Sequence, residues 1–255
     1  MSLPPTGSAA AASTHAAPGD AMGLTPRCYA LVPCAGSGQR AGPGGPKQYR
    51  AVAGQPVVAH TLAALAAVER ITATLVVLSP DDAQFDRAVA GVDRERTWTA
   101  RCGGATRAAS VSAGLAELIA RGARPDDWVL VHDAARCLVT PALIDRLIDA
   151  CWPDEVGGLL ALPLADTLKD ATPGGRVAAT LDRSGKWAAQ TPQMFRLGLL
   201  RPALARAGEA VTDEASAIEA LGHAPLLVRG ALDNFKLTWP DDFALAERLL
   251  RAPAV

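Results

Sequence analysis

A chain of 255 residues with 49% hydrophobic and 20% charged side chains can bury the core of one large α/β domain. Its formal net charge of −1 excludes a general nucleic-acid coat and leaves room only for a local basic site. The five cysteines form no CxxC pair, which argues against a disulfide framework or a zinc site, fits a reducing cytosol, and makes each thiol a small buried apolar group.

Residues 1–26 are rich in Ala, Ser, Pro and Gly and lack the basic start and continuous apolar run of a signal peptide. They read as a disordered tail, and residues 27–255 as a single domain. "CYALVPC" reads as a first, fully buried strand and "PVVAHTLAALAAV" as a helix. "ATLVVLS" is a second strand. "SPDDAQFDRAVA" is expected to be a helix capped by Ser79 with Pro80 in its first position. "TWTAR" is a third strand, and "TRAASVSAGLAELIARG" a helix stopped at Gly122. "DWVLVHD" is a strand ending in polar residues. "TPALIDRLIDAC" is a helix with a Thr cap and a Pro start, and "VGGLLALPL" another apolar strand. From about residue 164 to 190 the alternation breaks at a Pro-Gly-Gly turn, and a hairpin arm is expected to project and to pack on something, such as a second subunit. A helix at "TDEASAIEAL", a strand at "PLLVRG" and a closing helix from about Asp241 complete the chain.

Strands alternating with helices predict an α/β fold: a three-layer, Rossmann-like sandwich on a mostly parallel sheet, with a protruding β-arm. Ligands of such sheets sit beyond the carboxyl ends of the strands. The loops "AGSGQR", "RCGGATR" and "HDAAR" each follow a strand and should meet at one edge.

The segment from Gly36 to Ala41 satisfies G-x-G-x-x-[GA]. The dinucleotide reading needs an acid at the end of the second strand, which instead ends at Leu78-Ser79, and no Gly-Lys-Ser/Thr of a P-loop follows. What remains is a glycine-rich loop whose amides can approach phosphate oxygens, carrying Arg40 as a forked donor and Lys47 as a point charge. Lysine is scarce, with four against 21 arginines, and Lys47 and Lys236 are two of the four.

"PCAGSGQRAGPGGPKQY", "VHDAARC", "ADTLK", "AAQTPQMF", "TDEASAIE" and "DNFKLTWPDD" occur in this order. Together they resemble the 2-C-methyl-D-erythritol 4-phosphate cytidylyltransferase family, whose fold is of the nucleotide-diphospho-sugar transferase type. The resemblance implies CMP transfer from CTP to that acceptor, with Mg2+ as cofactor, in a cytoplasmic homodimer joined through the arm, without nucleic acid or membrane. Ala35, Gly36, Ser37 and Gly38 would grip the triphosphate, and Arg40, Lys47 and Lys236 would serve catalysis. Gly103, Gly104, Arg107 and Ser110 would form the cytidine-reading loop, where Ala105 departs from the polar residue of many relatives. Asp133 would meet the metal, where a helix N-cap is the plainer use of such an Asp, and His132 is read as packing. Arg136, Thr167, Arg183, Thr212 and Asp233 would serve the acceptor, Thr167 and Arg183 from the neighbouring subunit. Thr212 is also expected to cap its helix. Another polyol phosphate, such as ribitol 5-phosphate, is the alternative acceptor. A nicotinamide dehydrogenase and a silent binding protein are the readings from other classes.

Overall fold

The structure, a computed structural model, describes residues 25–36, 38, 45–208 and 211–252. The expected tail up to residue 24, Ser37 and Arg40 lie outside the described residues.

In chain order the elements are β1 (Cys28–Pro33), a 3-10 turn (Lys47–Tyr49), β2 (Ala51–Val52), β3 (Gln55–Pro56), α1 (Val57–Ala66), β4 (Ala73–Val77), α2 (Phe85–Ala88) and β5 (Thr97–Ala100). They continue with α3 (Arg107–Ala120), β6 (Trp128–Val131), α4 (Pro141–Cys151), β7 (Gly157–Pro163), β8 (Leu168–Ala171), β9 (Val177–Leu181) and β10 (Trp187–Arg196). The chain then forms α5 (Leu197–Ala207), α6 (Glu214–Glu219), β11 (Leu226–Arg229) and α7 (Pro240–Arg251).

Seven strands form one sheet in the order β11-β7-β10-β6-β1-β4-β5. Only β10 runs against its neighbours, pairing antiparallel with both β6 and β7. The strand alternation divides the core. Cys28, Ala30 and Val32 of β1 face α1 and α4, together with Val58, Leu62, Ile144 and Leu147. Tyr29 and Leu31 face the opposite layer, with Val111 and Leu115 of α3, Leu200 of α5 and Ile218 of α6. Both faces of a parallel sheet are thereby covered, which is why these strands read as unbroken apolar runs. A smaller cluster, with Val52, Val57, Leu138, Leu237 and Phe243, seats α7 on the β2–β3 hairpin.

Thr140 caps α4 through its hydroxyl and Gly122 takes a positive φ of 87° just past α3, both as the sequence predicts, and Thr106 caps α3 in the same way as Thr140. Three expectations need correction. The helix foreseen from Ser79 is reduced to the single turn of α2, because Asp82 Oδ1 accepts from the Gln84 and Phe85 amides and sets a turn there instead. The cap of α6 is Asp213, whose carboxylate takes the Ser216 amide in a capping box, and not Thr212. β10 and α5, between the arm and α6, have no counterpart among the expected elements. The arm is a hairpin of β8 and β9 whose residues are mostly exposed, with Val177 and Leu181 open to solvent.

Candidate active site

The three loops do meet. Beyond the carboxyl ends of β1, β5 and β6 lies a cleft of about 720 Å³. The first loop contributes Cys34 to Gly36, Gly38, Lys47 and Gln48 to its wall; the second contributes Gly104 to Arg107 with Ser110; the third contributes Asp133 to Ala135. Lys236 closes it from the segment before α7.

Asp133 is the hub. Its side chain is 8% accessible and receives Arg107 Nε at 2.8 Å on Oδ1 and Lys236 Nζ at 2.8 Å on Oδ2, with Arg136 Nε 3.7 Å from Oδ2. Burial alone would raise this carboxyl, but the three cations hold it far below the usual carboxylate range. Arg107 turns its two terminal nitrogens on Glu214, at 2.6 and 3.0 Å, so it bridges two carboxylates. Its guanidinium is held above its ordinary value, Glu214 and Asp133 outweighing the effect of burial. With Arg107, Lys236 and Lys47 in its wall against the carboxylates of Asp133 and Glu214, the described part of the cleft carries surplus positive charge suited to a polyanion.

Lys47 Nζ donates to the Leu237 carbonyl at 2.7 Å, which places it beside Lys236. Gly38, at φ 69°, lies so close to Lys47 that a Cβ there would stand 2.8 Å from Lys47 Cγ and 2.9 Å from its amide nitrogen. Gly38 thus sits directly against Lys47.

Of the second loop's two glycines, only Gly104 lines the cleft. Gly103 is not in the cleft wall. Its amide donates to the Leu78 carbonyl at 2.8 Å, and a Cβ on it would fall 2.3 Å from Ala35 Cβ. The Gly104 amide donates to Ser110 Oγ at 3.1 Å. Both amides are taken within the protein: Gly103 serves the close seam with the first loop, and Gly104, in the cleft wall, packs against Ala109 of α3.

Behind Asp133 runs a buried relay. The Asp133 amide donates to Thr191 Oγ1 at 3.0 Å, and that hydroxyl lies 3.0 Å from His132 Nδ1. His132 Nε2 is 3.2 Å from the Arg136 carbonyl, which can only accept, so the ring donates from Nε2 and accepts from Thr191 at Nδ1. Burial pushes the fully enclosed His132 down to about 4, so it stays neutral and structural, as read from sequence. Arg136 is set back from the cleft wall, with its terminal nitrogens on the carbonyls of Asn234, at 2.7 Å, and Ala189, at 3.4 Å. Thr212 and Asp233 are exposed and outside the cleft wall. Thr167 is exposed on the arm, and Arg183 lines a shallow surface groove at the arm's root with Lys186 and Trp187.

Sequence reasoning missed Glu214 and Thr191. Glu214 reads locally as a first-turn helix acid and Thr191 as the residue before a proline; only tertiary packing brings them to Arg107 and Asp133. Four of the five cysteines are buried as expected, whereas Cys102 is exposed. Burial pushes the Cys28, Cys34 and Cys151 thiols up to about 12, which keeps them unreactive.

Residues 28–252 match the family model described as IspD, 2-C-methyl-D-erythritol 4-phosphate cytidylyltransferase. The chain is 63% identical over 226 residues to a bifunctional enzyme IspD/IspF of Albidiferax ferrireducens, an alignment covering 89% of this chain and 53% of that protein; it spans about half that relative's length. It is 57% identical over 238 residues to a 2-C-methyl-D-erythritol 4-phosphate cytidylyltransferase of Paraburkholderia phytofirmans, covering 91% of this chain and 99% of the relative. Among solved structures, a 4-diphosphocytidyl-2C-methyl-D-erythritol synthase superposes with a TM-score of 0.79 at 41% identity, over 89% of this chain and 100% of that one.

Proposed function

Because the chain belongs to the IspD family, we propose that it transfers CMP from CTP to 2-C-methyl-D-erythritol 4-phosphate, giving 4-diphosphocytidyl-2-C-methyl-D-erythritol and pyrophosphate. The single observation that carries the reading on this chain's own residues is the meeting of Lys47, Lys236 and Asp133 in one cleft with the glycine loop.

Nucleotidyl transfer is an in-line displacement. A phosphate oxygen of the acceptor attacks the α-phosphorus of CTP, the bond from that phosphorus to the bridging oxygen breaks, and pyrophosphate leaves with the electron pair. No covalent nucleophile is needed, so the protein's work is positioning and charge stabilisation. Lys47, with Arg40, would neutralise the crowded α-phosphate. Lys236 rests on Asp133 and would turn to the acceptor phosphate when the anions arrive. Ala35, Gly36, Ser37 and Gly38 would hold the triphosphate.

The residues fit a divalent cation only in one way. Among the described residues no group of three His, Cys, Asp or Glu side chains could hold a metal ion, and Asp133 is the one carboxylate among the described residues of the cleft wall, already met by cations. Asp133 would therefore be the protein's share in holding a Mg2+ ion, a hard cation suited to carboxylate and phosphate oxygens. When bound it supplies further charge neutralisation on the phosphates.

The exposed apolar Val177 and Leu181 on the arm support pairing with a second copy, and Thr167 and Arg183 would then complete the neighbour's acceptor site. The free cysteines agree with a cytoplasmic enzyme, and among the described residues no helix is long and apolar enough to cross a membrane. The test is CTP-dependent pyrophosphate release with 2-C-methyl-D-erythritol 4-phosphate and with ribitol 5-phosphate in parallel. Turnover with the first is expected; turnover with ribitol 5-phosphate alone would overturn the choice of acceptor.

A further inference from the structure

We propose that Gln48 is the positioning residue of the triphosphate loop, a reading that rests on the nucleotidyl-transfer function above. Gln48 is 5% exposed, and its side-chain nitrogen donates to two carbonyls of the first loop, Cys34 O and Gly36 O, each at 3.0 Å. A carboxamide nitrogen has two hydrogens, and both are used here. One side chain thus clasps the end of β1 and the start of the glycine loop.

Two consequences follow for a bound polyanion. Cys34 and Gly36 both line the cleft, and a carbonyl oxygen turned toward phosphate oxygens repels them. Gln48 engages both lone-pair-bearing groups. In a trans peptide the N–H lies opposite the C=O, so anchoring the Cys34 carbonyl fixes the Ala35 amide at the other edge of the same plane, ready to donate. Gln48 fixes the stretch from Cys34 to Gly36, so the ordering cost of that stretch is met before the nucleotide arrives.

The clasp itself is held from both sides. Pro46, at φ −61°, leads into the 3-10 turn that bears Gln48. Its neighbour Lys47 reaches the Leu237 carbonyl at 2.7 Å, and Tyr49 donates its hydroxyl to Asp82 Oδ2 at 2.5 Å. Three consecutive side chains therefore tie the turn to the segment before α7, to the glycine loop and to the start of the α2 region.

The experiment compares native enzyme with Gln48→Met, which keeps length and removes both donors. Dissociation constants for pyrophosphate, CTP and CMP are measured by calorimetry, with kcat and KM for CTP alongside. Losing two hydrogen bonds of about 1 kcal/mol each predicts a weakening of pyrophosphate and CTP of about tenfold or more. CMP, which does not reach the β- and γ-phosphate positions, is expected to change less than about twofold, by the same conversion. Should Gln48→Met fail to fold, Gln48→Asn, with the donors on a shorter stem, must weaken pyrophosphate more than CMP. Equal weakening of CMP and pyrophosphate, or unchanged pyrophosphate binding, overturns the role of Gln48. Native protein that binds neither CTP nor pyrophosphate overturns the nucleotidyl-transfer reading itself, and the role of Gln48 falls with it.

Discussion

Replacing Glu214 by alanine is expected to destabilise the protein by about 2–3 kcal/mol, although it removes only one side chain of a six-residue helix. The Glu214 side chain is 1% accessible and holds Arg107 with bonds of 2.6 and 3.0 Å. Removing one partner of a buried ion pair costs roughly 3–5 kcal/mol, because the other charge stays buried without compensation. Arg107 is 27% accessible and retains Asp133 at 2.8 Å, which lowers the figure. Burial pushes the Glu214 carboxyl up, and the Arg107 guanidinium pulls it back only in part, so the pair as a whole contributes little net stability. The double variant Glu214→Leu with Arg107→Met should therefore cost clearly less than the sum of its single variants, with a coupling of about 1 kcal/mol or more. Urea unfolding of the four proteins gives the cycle. The corresponding loss in Tm for Glu214→Ala is about 5–10 °C at this chain size. A Glu214→Ala protein within about 0.5 kcal/mol of native, or a strictly additive cycle, would refute the argument that buried charge compensation holds α6 to the cleft.

Lys47→Ala should lower kcat by about 100-fold with a smaller change in the affinity for CTP, since its charge matters most as the α-phosphate becomes crowded; single-turnover kinetics separate the two effects. Gly103→Ala should destabilise by about 1–3 kcal/mol, as the added Cβ meets Ala35 Cβ at 2.3 Å and the Leu78 carbonyl oxygen at 2.7 Å; denaturant midpoints read it directly. Asp127 is fully buried, and although burial raises its carboxyl, the Arg27 and Arg124 amides, each at 2.8 Å, and their guanidinium groups bring it below the usual value. Its stabilisation is therefore complete above the unfolded value of about 3.9 and lost as pH falls below it, so Asp127→Asn should be less stable than native at neutral pH and show a flatter acid limb in pH-dependent unfolding. Mixing Arg183→Ala with Lys47→Ala subunits should recover part of the activity if the arm serves the neighbouring site; activity no higher than the better single variant would assign Arg183 to its own chain.

The parallel strands were legible because burial on both faces turns them into continuous apolar runs, α3 because Gly122 stops it, and α4 because a Thr cap and a proline open it. β10 was hidden by its own chemistry. Gln190, Thr191, Pro192 and Gln193 interrupt its apolar pattern, yet the three polar side chains are buried and satisfied by distant partners. Gln190 reaches the Ala231 carbonyl at 2.8 Å, Thr191 meets the Asp133 amide, and Gln193 donates to Asp213 at 2.8 Å and accepts from the Ala215 amide at 2.8 Å. Local pattern carries no sign of bonds made across so much of the chain. The same limit applies to the cleft. Topology alone brought its three loops together, but the use of the Gly103 and Gly104 amides inside the protein, and the part of Glu214, depend on side-chain geometry that periodicity does not encode.

β10 extends from Trp187, which pairs with Pro163 where the arm leaves the sheet, to Arg196, paired with Trp128 of β6. Midway along it Thr191 carries the Asp133 amide and Gln193 carries α6. Mechanically it is a spar with a step in it: one strand, whose pairing with β7 shifts register between Ala189 and Gln193, joins the limb that reaches outward to the anchor of the central carboxylate. The same strand therefore borders both the arm's root and the hold on Asp133, with no loop between them and the register step in their midst.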